Sequence, residues 1–67
     1  MSAEGKFLVY CVEIYKEAKK LPGSYIIETF KRYGVMEYIL SCYEALHTTG
    51  PLYIIEDIDL FIESQQI

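Results

Sequence analysis

Glu56, Asp57, Asp59 and Glu63 place four carboxylates within eight residues, the densest group of ionisable side chains in the chain. Three kinds of chemistry use such a group. Divalent cations bind carboxylate oxygens, but the run lacks EF-hand spacing and contains no histidine, so no metal or cofactor site is expected. General acid–base catalysis needs a second reacting group within reach. The single histidine, His47, is followed by Thr48 and Thr49, which are weak nucleophiles. Cys42 lies five residues before it, at a different angle around a helix. No catalytic residue is expected, and the chain is not read as an enzyme. The third chemistry is recognition by charge. Glu56, Asp59 and Glu63 recur at i, i+3 and i+7, one side of a helix, and Tyr53 and Leu60 also fall outside its apolar stripe. An aromatic and an aliphatic anchor ringed by charge is the composition of an interface centre with a polar rim. Tyr53, Glu56, Asp59, Leu60 and Glu63 are therefore the candidate partner-binding residues. They are expected to face outward, and their charge favours a protein with a basic surface.

The charge of the whole chain points the same way. Residues 33–67 carry six acidic side chains and no Lys or Arg, while all six basic residues lie in the first 32 beside four glutamates. The front part is thus +2 and the rest −6, which sum to the formal −4. A segment of this sign repels phosphate backbones and attracts basic surfaces. Three short helices also raise a helix-turn-helix reading, in which the third would enter the major groove. That segment holds Glu37 and Glu44 and no base, a poor composition for contacting phosphates or guanines. The alternative function, a small DNA-binding transcriptional regulator, would have to rest on Lys16, Lys19, Lys20, Lys31 and Arg32.

Sixty-seven residues are expected to form one domain spanning 1–67, and a chain this short has a thin core. Apolar residues nevertheless make up 52%, with seven tyrosines and no tryptophan. The surplus leaves two readings: apolar surface kept for a second copy or another protein, or tyrosines half-buried at the rim of the core. Cys11 and Cys42 sit among apolar residues and form no CxxC pair, so both are expected to be reduced and buried. The apolar run at 7–12 stops at Glu13 and is too short for a signal peptide core or a membrane span. The expectation is a cytoplasmic protein.

The elements that must position these residues are helical. Pro22-Gly23, Gly34 and Gly50-Pro51 punctuate the chain, and between them apolar residues recur with a period of 3.6. The first helix is expected over about 3–20, capped by Ser2, with Lys16, Lys19 and Lys20 complementing its C-terminal dipole. Tyr10 should look outward. The second, over about 24–33, turns Ile26, Ile27, Phe30 and Tyr33 inward and sets Glu28 to pair with Lys31 or Arg32. Gly34 suits the left-handed residue that ends it. The third, over about 35–47, is apolar around most of its circumference, Leu40 and Cys42 included, and is expected to be central. His47 can complement the dipole and bond the last carbonyls at its end. The fourth starts at Pro51 or Leu52 and runs to about 65, burying Ile54, Ile55, Ile58, Phe61 and Ile62. Its first turn could instead be extended. The fold class is all-α, a compact bundle of three to four short helices.

Particular residues also carry a family likeness. Phe30-Lys31-Arg32-Tyr33-Gly34-Val35, Tyr38-Ile39, Leu46-His47-Thr48-Thr49-Gly50, Tyr53-Ile54-Ile55-Glu56-Asp57-Ile58-Asp59 and Ile62-Glu63-Ser64 resemble a family of small bacterial proteins, domain-of-unknown-function family 3791. Val9-Tyr10-Cys11-Val12-Glu13 and Tyr15-Lys16 look like its opening helix. The resemblance spans nearly the whole chain, and the Leu-His-Thr-Thr-Gly turn with the Ile-Glu-Asp-Ile-Asp run is its most specific part. It implies a small bacterial helical module with no assigned activity. It also implies genes beside those of ADP-ribosyltransferase-like proteins, as fits an antitoxin- or immunity-like partner protein. One departure stands at Pro22-Gly23-Ser24-Tyr25, where the family's capping box is lost, so either Ser24 caps alone or the helix start is displaced.

Overall fold

The computed structural model describes residues 2–66, so Met1 and Ile67, the ends of the expected 1–67 domain, lie outside it. Five helices follow one another: α1 (Ala3–Lys19), α2 (Gly23–Tyr33), α3 (Val35–Ser41), α4 (Tyr43–Leu46) and α5 (Pro51–Gln65). No strand occurs among the described residues. The chain is an all-α bundle, with α4 amounting to a single turn.

Local chemistry sets most of the boundaries. Ser2 caps α1, its hydroxyl accepting from the Gly5 amide at 3.0 Å. Lys20 leaves the helix in the left-handed region, φ 56°, and Pro22 prevents any continuation. The start of α2 is displaced to Gly23, with no side-chain cap. The Pro22 carbonyl instead accepts from the amides of Tyr25 and Ile26. Gly34, at φ 70°, ends α2 and begins α3 in the same residue. Such a corner needs a backbone with no Cβ penalty at positive φ. α5 begins at Pro51, whose missing amide hydrogen costs nothing at the first helical position.

The third segment differs from the continuous helix that periodicity predicts. The Ser41 hydroxyl donates to the Tyr38 carbonyl at 3.0 Å, and Cys42 departs from helical geometry at φ −104°, ψ 15°. A serine bonding back to its own helix competes with the backbone ladder, and here it accompanies the break between α3 and α4. Thr48 and Thr49 then donate to the carbonyls of Ala45 and Leu46, satisfying acceptors at the end of α4.

The core gathers Cys11 and Tyr15 of α1, Ile26 and Phe30 of α2, Val35 and Ile39 of α3, and Ile54 and Ile58 of α5. α3 packs against each of the other four helices, the central place its composition predicts. The surplus of apolar residues over core volume is visible at the surface. Ile27 and Leu40, both expected inside, are 38% and 43% exposed. Ile26 and Phe30 already fill the buried arc of α2, and Ile27 lies a further 100° round the helix. Tyr10 is exposed as expected. Both cysteines are free, but only Cys11 is buried; Cys42, expected inside, is half-exposed at the α3–α4 break. Burial pushes the Cys11 thiol up to about 11, so it stays protonated and behaves as a small apolar group. No helix among the described residues is long and apolar enough to cross a membrane.

A candidate interaction face on the last helix

The helical period divides α5 into an inner and an outer arc. Ile54 and Ile58 are fully buried, with Ile55, Phe61 and Ile62 packed beside them. Directly opposite stand Leu52, Tyr53, Glu56, Leu60 and Glu63, all exposed. Leu52, Tyr53 and Leu60 are exposed by 77%, 58% and 65%, more than any other large apolar residue among those described. Neither Glu56 nor Glu63 has an ion partner, since Lys19–Asp59 is the one ion pair among the described residues. The structure thus brings four of the five sequence-predicted binding residues, Tyr53, Glu56, Leu60 and Glu63, onto one solvent-facing surface. Leu52 joins them and was hidden in the sequence by the unbroken apolar run at 52–55.

Asp59 is the correction. Expected on the outer rim, it turns instead toward α1. The Tyr15 hydroxyl donates to its Oδ1 at 2.5 Å, and the Lys19 ammonium donates to its Oδ2 at 2.7 Å. Tyr15 and Lys19 lie one turn apart on α1, so both reach the same carboxylate. Lys19 also sits over the Tyr15 ring, 5.3 Å from its centroid. A short aspartate at the edge of the outer arc lies close enough to the neighbouring helix to be held there, whereas a glutamate in the middle of the arc does not. Lys19, read from sequence as a dipole complement, is therefore also an inter-helix tie. The pairing of Glu28 with Lys31 or Arg32 is likewise absent among the described ion pairs.

The other flank of α5 repeats the device. The Tyr38 hydroxyl of α3 donates to Asp57 Oδ2 at 2.6 Å, and its ring stacks on Phe61 at 4.1 Å. Both tyrosine hydroxyls are held above the ordinary tyrosine range. For Tyr15 burial is the main cause, followed by the bond to Asp59; for Tyr38 the bond to Asp57 leads, followed by burial. The protonated phenol is the form that can donate to a carboxylate, so each bond favours it. Sequence reasoning missed both ties because their partners are 44 and 19 residues apart. The available signal was a Tyr–Lys pair at i, i+4 on α1 and a lone Tyr on α3, neither specific.

The remaining candidates have local partners. His47 Nδ1–H donates to the Tyr43 carbonyl at 2.8 Å, and its ring stacks on Tyr43 at 4.4 Å. This is the helix-end role expected from sequence. Cys42 Sγ lies 3.9 Å from Ser41 Oγ. Among the described residues no three His, Cys, Asp or Glu side chains converge as a metal site would require.

The fold and this face define a small acidic all-helical domain whose last helix leaves three large apolar side chains and two glutamates in solvent. The chain belongs to the family described as Protein of unknown function (DUF3791), whose model matches residues 6–65, from the first turns of α1 to the end of α5. No curated protein and no solved structure matches it.

Proposed function

We propose that this protein is a binding module that docks a protein partner with a basic surface on the outer arc of α5. The observation that carries the reading is the coincidence on one helix face of Leu52, Tyr53 and Leu60 with Glu56 and Glu63, which have no ion partner among the described residues. Apolar anchors supply area to remove from water, and rim carboxylates steer and orient a cationic surface. None of these three anchors packs into the core cluster, whose buried stripe on α5 is already filled. An antitoxin- or immunity-like role would use the same contact, covering a basic surface on the partner by steric exclusion.

The same apolar residues also support self-association, because a second copy would cover Leu52, Tyr53 and Leu60 as well. Opposed glutamates across a two-fold seam disfavour that arrangement. The test combines solution mass at micromolar concentration with binding to the product of the adjacent gene. The expected result is a monomer whose binding weakens by about tenfold or more in Leu60→Ala and falls in Glu56→Lys/Glu63→Lys. Binding that is indifferent to all three changes sinks the reading. A stable dimer that Leu60→Lys splits transfers the face to self-association. Tight, salt-sensitive binding to the upstream DNA would instead favour the regulator, acting through the bases of α1 and α2.

A further inference from the structure

A cleft of about 490 Å³ opens between the end of α1, one side of α2 and the last turn of α5. None of Leu52, Tyr53, Glu56, Leu60 or Glu63 lines it, so it is a separate feature from the α5 outer arc. Its size suits a small organic molecule. Ile26 and Ile62 give it an apolar surface, and Tyr25 and Tyr33 give it aromatic walls. One side is fixed, because Lys19 is clasped by Asp59 at 2.7 Å and its charge is already matched.

Arg32 differs. Glu28 stands one turn before it, in the order that favours an i, i+4 pair, yet no such ion pair forms among the described residues. With Lys19 already matched by Asp59, the charged side chains left in the lining are Arg32 and Glu28, and they do not bond each other among the described residues. The field at this spot is also legible in Tyr33, whose hydroxyl is held below the ordinary tyrosine range by its bond from Gln66 and by the nearby Arg32. A guanidinium with no ion partner among the described residues is a planar fork suited to carboxylate or phosphate oxygens.

We propose that this cleft binds a small aromatic anion, its ring against the apolar and tyrosine surfaces and its anionic oxygens on Arg32. Carboxylates and phosphate monoesters share that chemistry, and the choice between them is an arm of the test. The isotope-labelled full chain is titrated by NMR with phenylacetate, phenyl phosphate, benzylamine and inorganic phosphate. Saturable shifts confined to residues such as Thr29, Arg32, Tyr33 and Gln66 are expected with the two aromatic anions, and the tighter of the two identifies the anionic group. Arg32→Gln should weaken the binding by about tenfold or more, with helical content unchanged, while Leu60→Ala leaves it intact. The proposal is overturned by the absence of saturable shifts with either aromatic anion, or by equal binding of benzylamine. It is equally overturned if inorganic phosphate alone reproduces the effect, or if Arg32→Gln retains full affinity.

Discussion

Asp57 and Asp59 differ from Glu56 and Glu63 in almost nothing a composition count would register. All four are carboxylates on one helix, within eight residues. Yet the aspartates are tied down, one by Tyr38 and the other by Tyr15 and Lys19, while the glutamates point into solvent with no ion partner among the described residues. The difference comes from angle and reach. The aspartates lie at the two edges of the exposed arc, where neighbouring helices pass, and their short side chains hold the carboxylate close to the bundle. The glutamates lie within the arc, on the side away from the core. Charge on this helix therefore falls into two sets: the edges tie α5 to its neighbours, and the middle stands in solvent.

The largest effect should come from removing the seat that both depend on. Ile58 is fully buried, and Ile58→Ala should cost about 2–5 kcal/mol, most of what a domain of this size has to spare. Chemical denaturation should show a nearly unfolded protein with binding lost as well. An Ile58→Ala variant of near wild-type stability would mean that α5 is not anchored as described.

Next come the ties. Asp59→Asn and Tyr15→Phe should each destabilise by about 1–2 kcal/mol. In a double-mutant cycle they should show coupling, since they share one contact. Tyr38→Phe with Asp57→Asn should behave alike at the other edge. Additive effects would deny that the hydroxyls hold the helix.

Alkaline pH gives a third, graded test. Both hydroxyls stay protonated in the folded protein above the ordinary tyrosine value near 10. The unfolded chain releases those protons first, so folding is favoured fully below about pH 10 and progressively less as pH rises toward the folded values. Denaturation midpoints should therefore fall above that pH, and fall less in Tyr15→Phe/Tyr38→Phe. An equal fall in that variant would assign the effect elsewhere.

The smallest change in stability should come from the middle of the arc. Glu56→Gln and Glu63→Gln should move folding stability by no more than about 0.5 kcal/mol, while partner binding weakens and loses salt dependence. If Glu56→Gln costs as much stability as Asp59→Asn, the contrast between edge and middle disappears.

Much of this molecule is written locally. Gly34 and Pro51 mark helix boundaries by backbone conformation alone, and the stripe Ile54, Ile58, Phe61 and Ile62 marks the inner side of α5 by spacing alone. Tyr53, Glu56, Leu60 and Glu63 were placed outward for the same reason, because they are what the stripe leaves over. Most of the readings that failed needed a second element. Asp59 follows the same periodicity as Glu56, and only the approach of α1 turns it inward. Ile27 and Leu40 are apolar at helical spacing, but the bundle has no room left for them. The break at Cys42 accompanies a local bond, from the Ser41 hydroxyl back to the Tyr38 carbonyl.

The order of residues by itself thus determined that the chain is helical, where its helices stop, which sign of charge its second half carries, and which side of α5 is apolar. These are consequences of neighbours within a turn or two, and dihedral preference and period act over that range. Tertiary structure alone decided which carboxylates are matched, which apolar residues find no room inside, and that a cleft lined by Arg32 opens between α1, α2 and α5. Those outcomes depend on groups tens of residues apart meeting at hydrogen-bond distance, and no local pattern encodes that meeting.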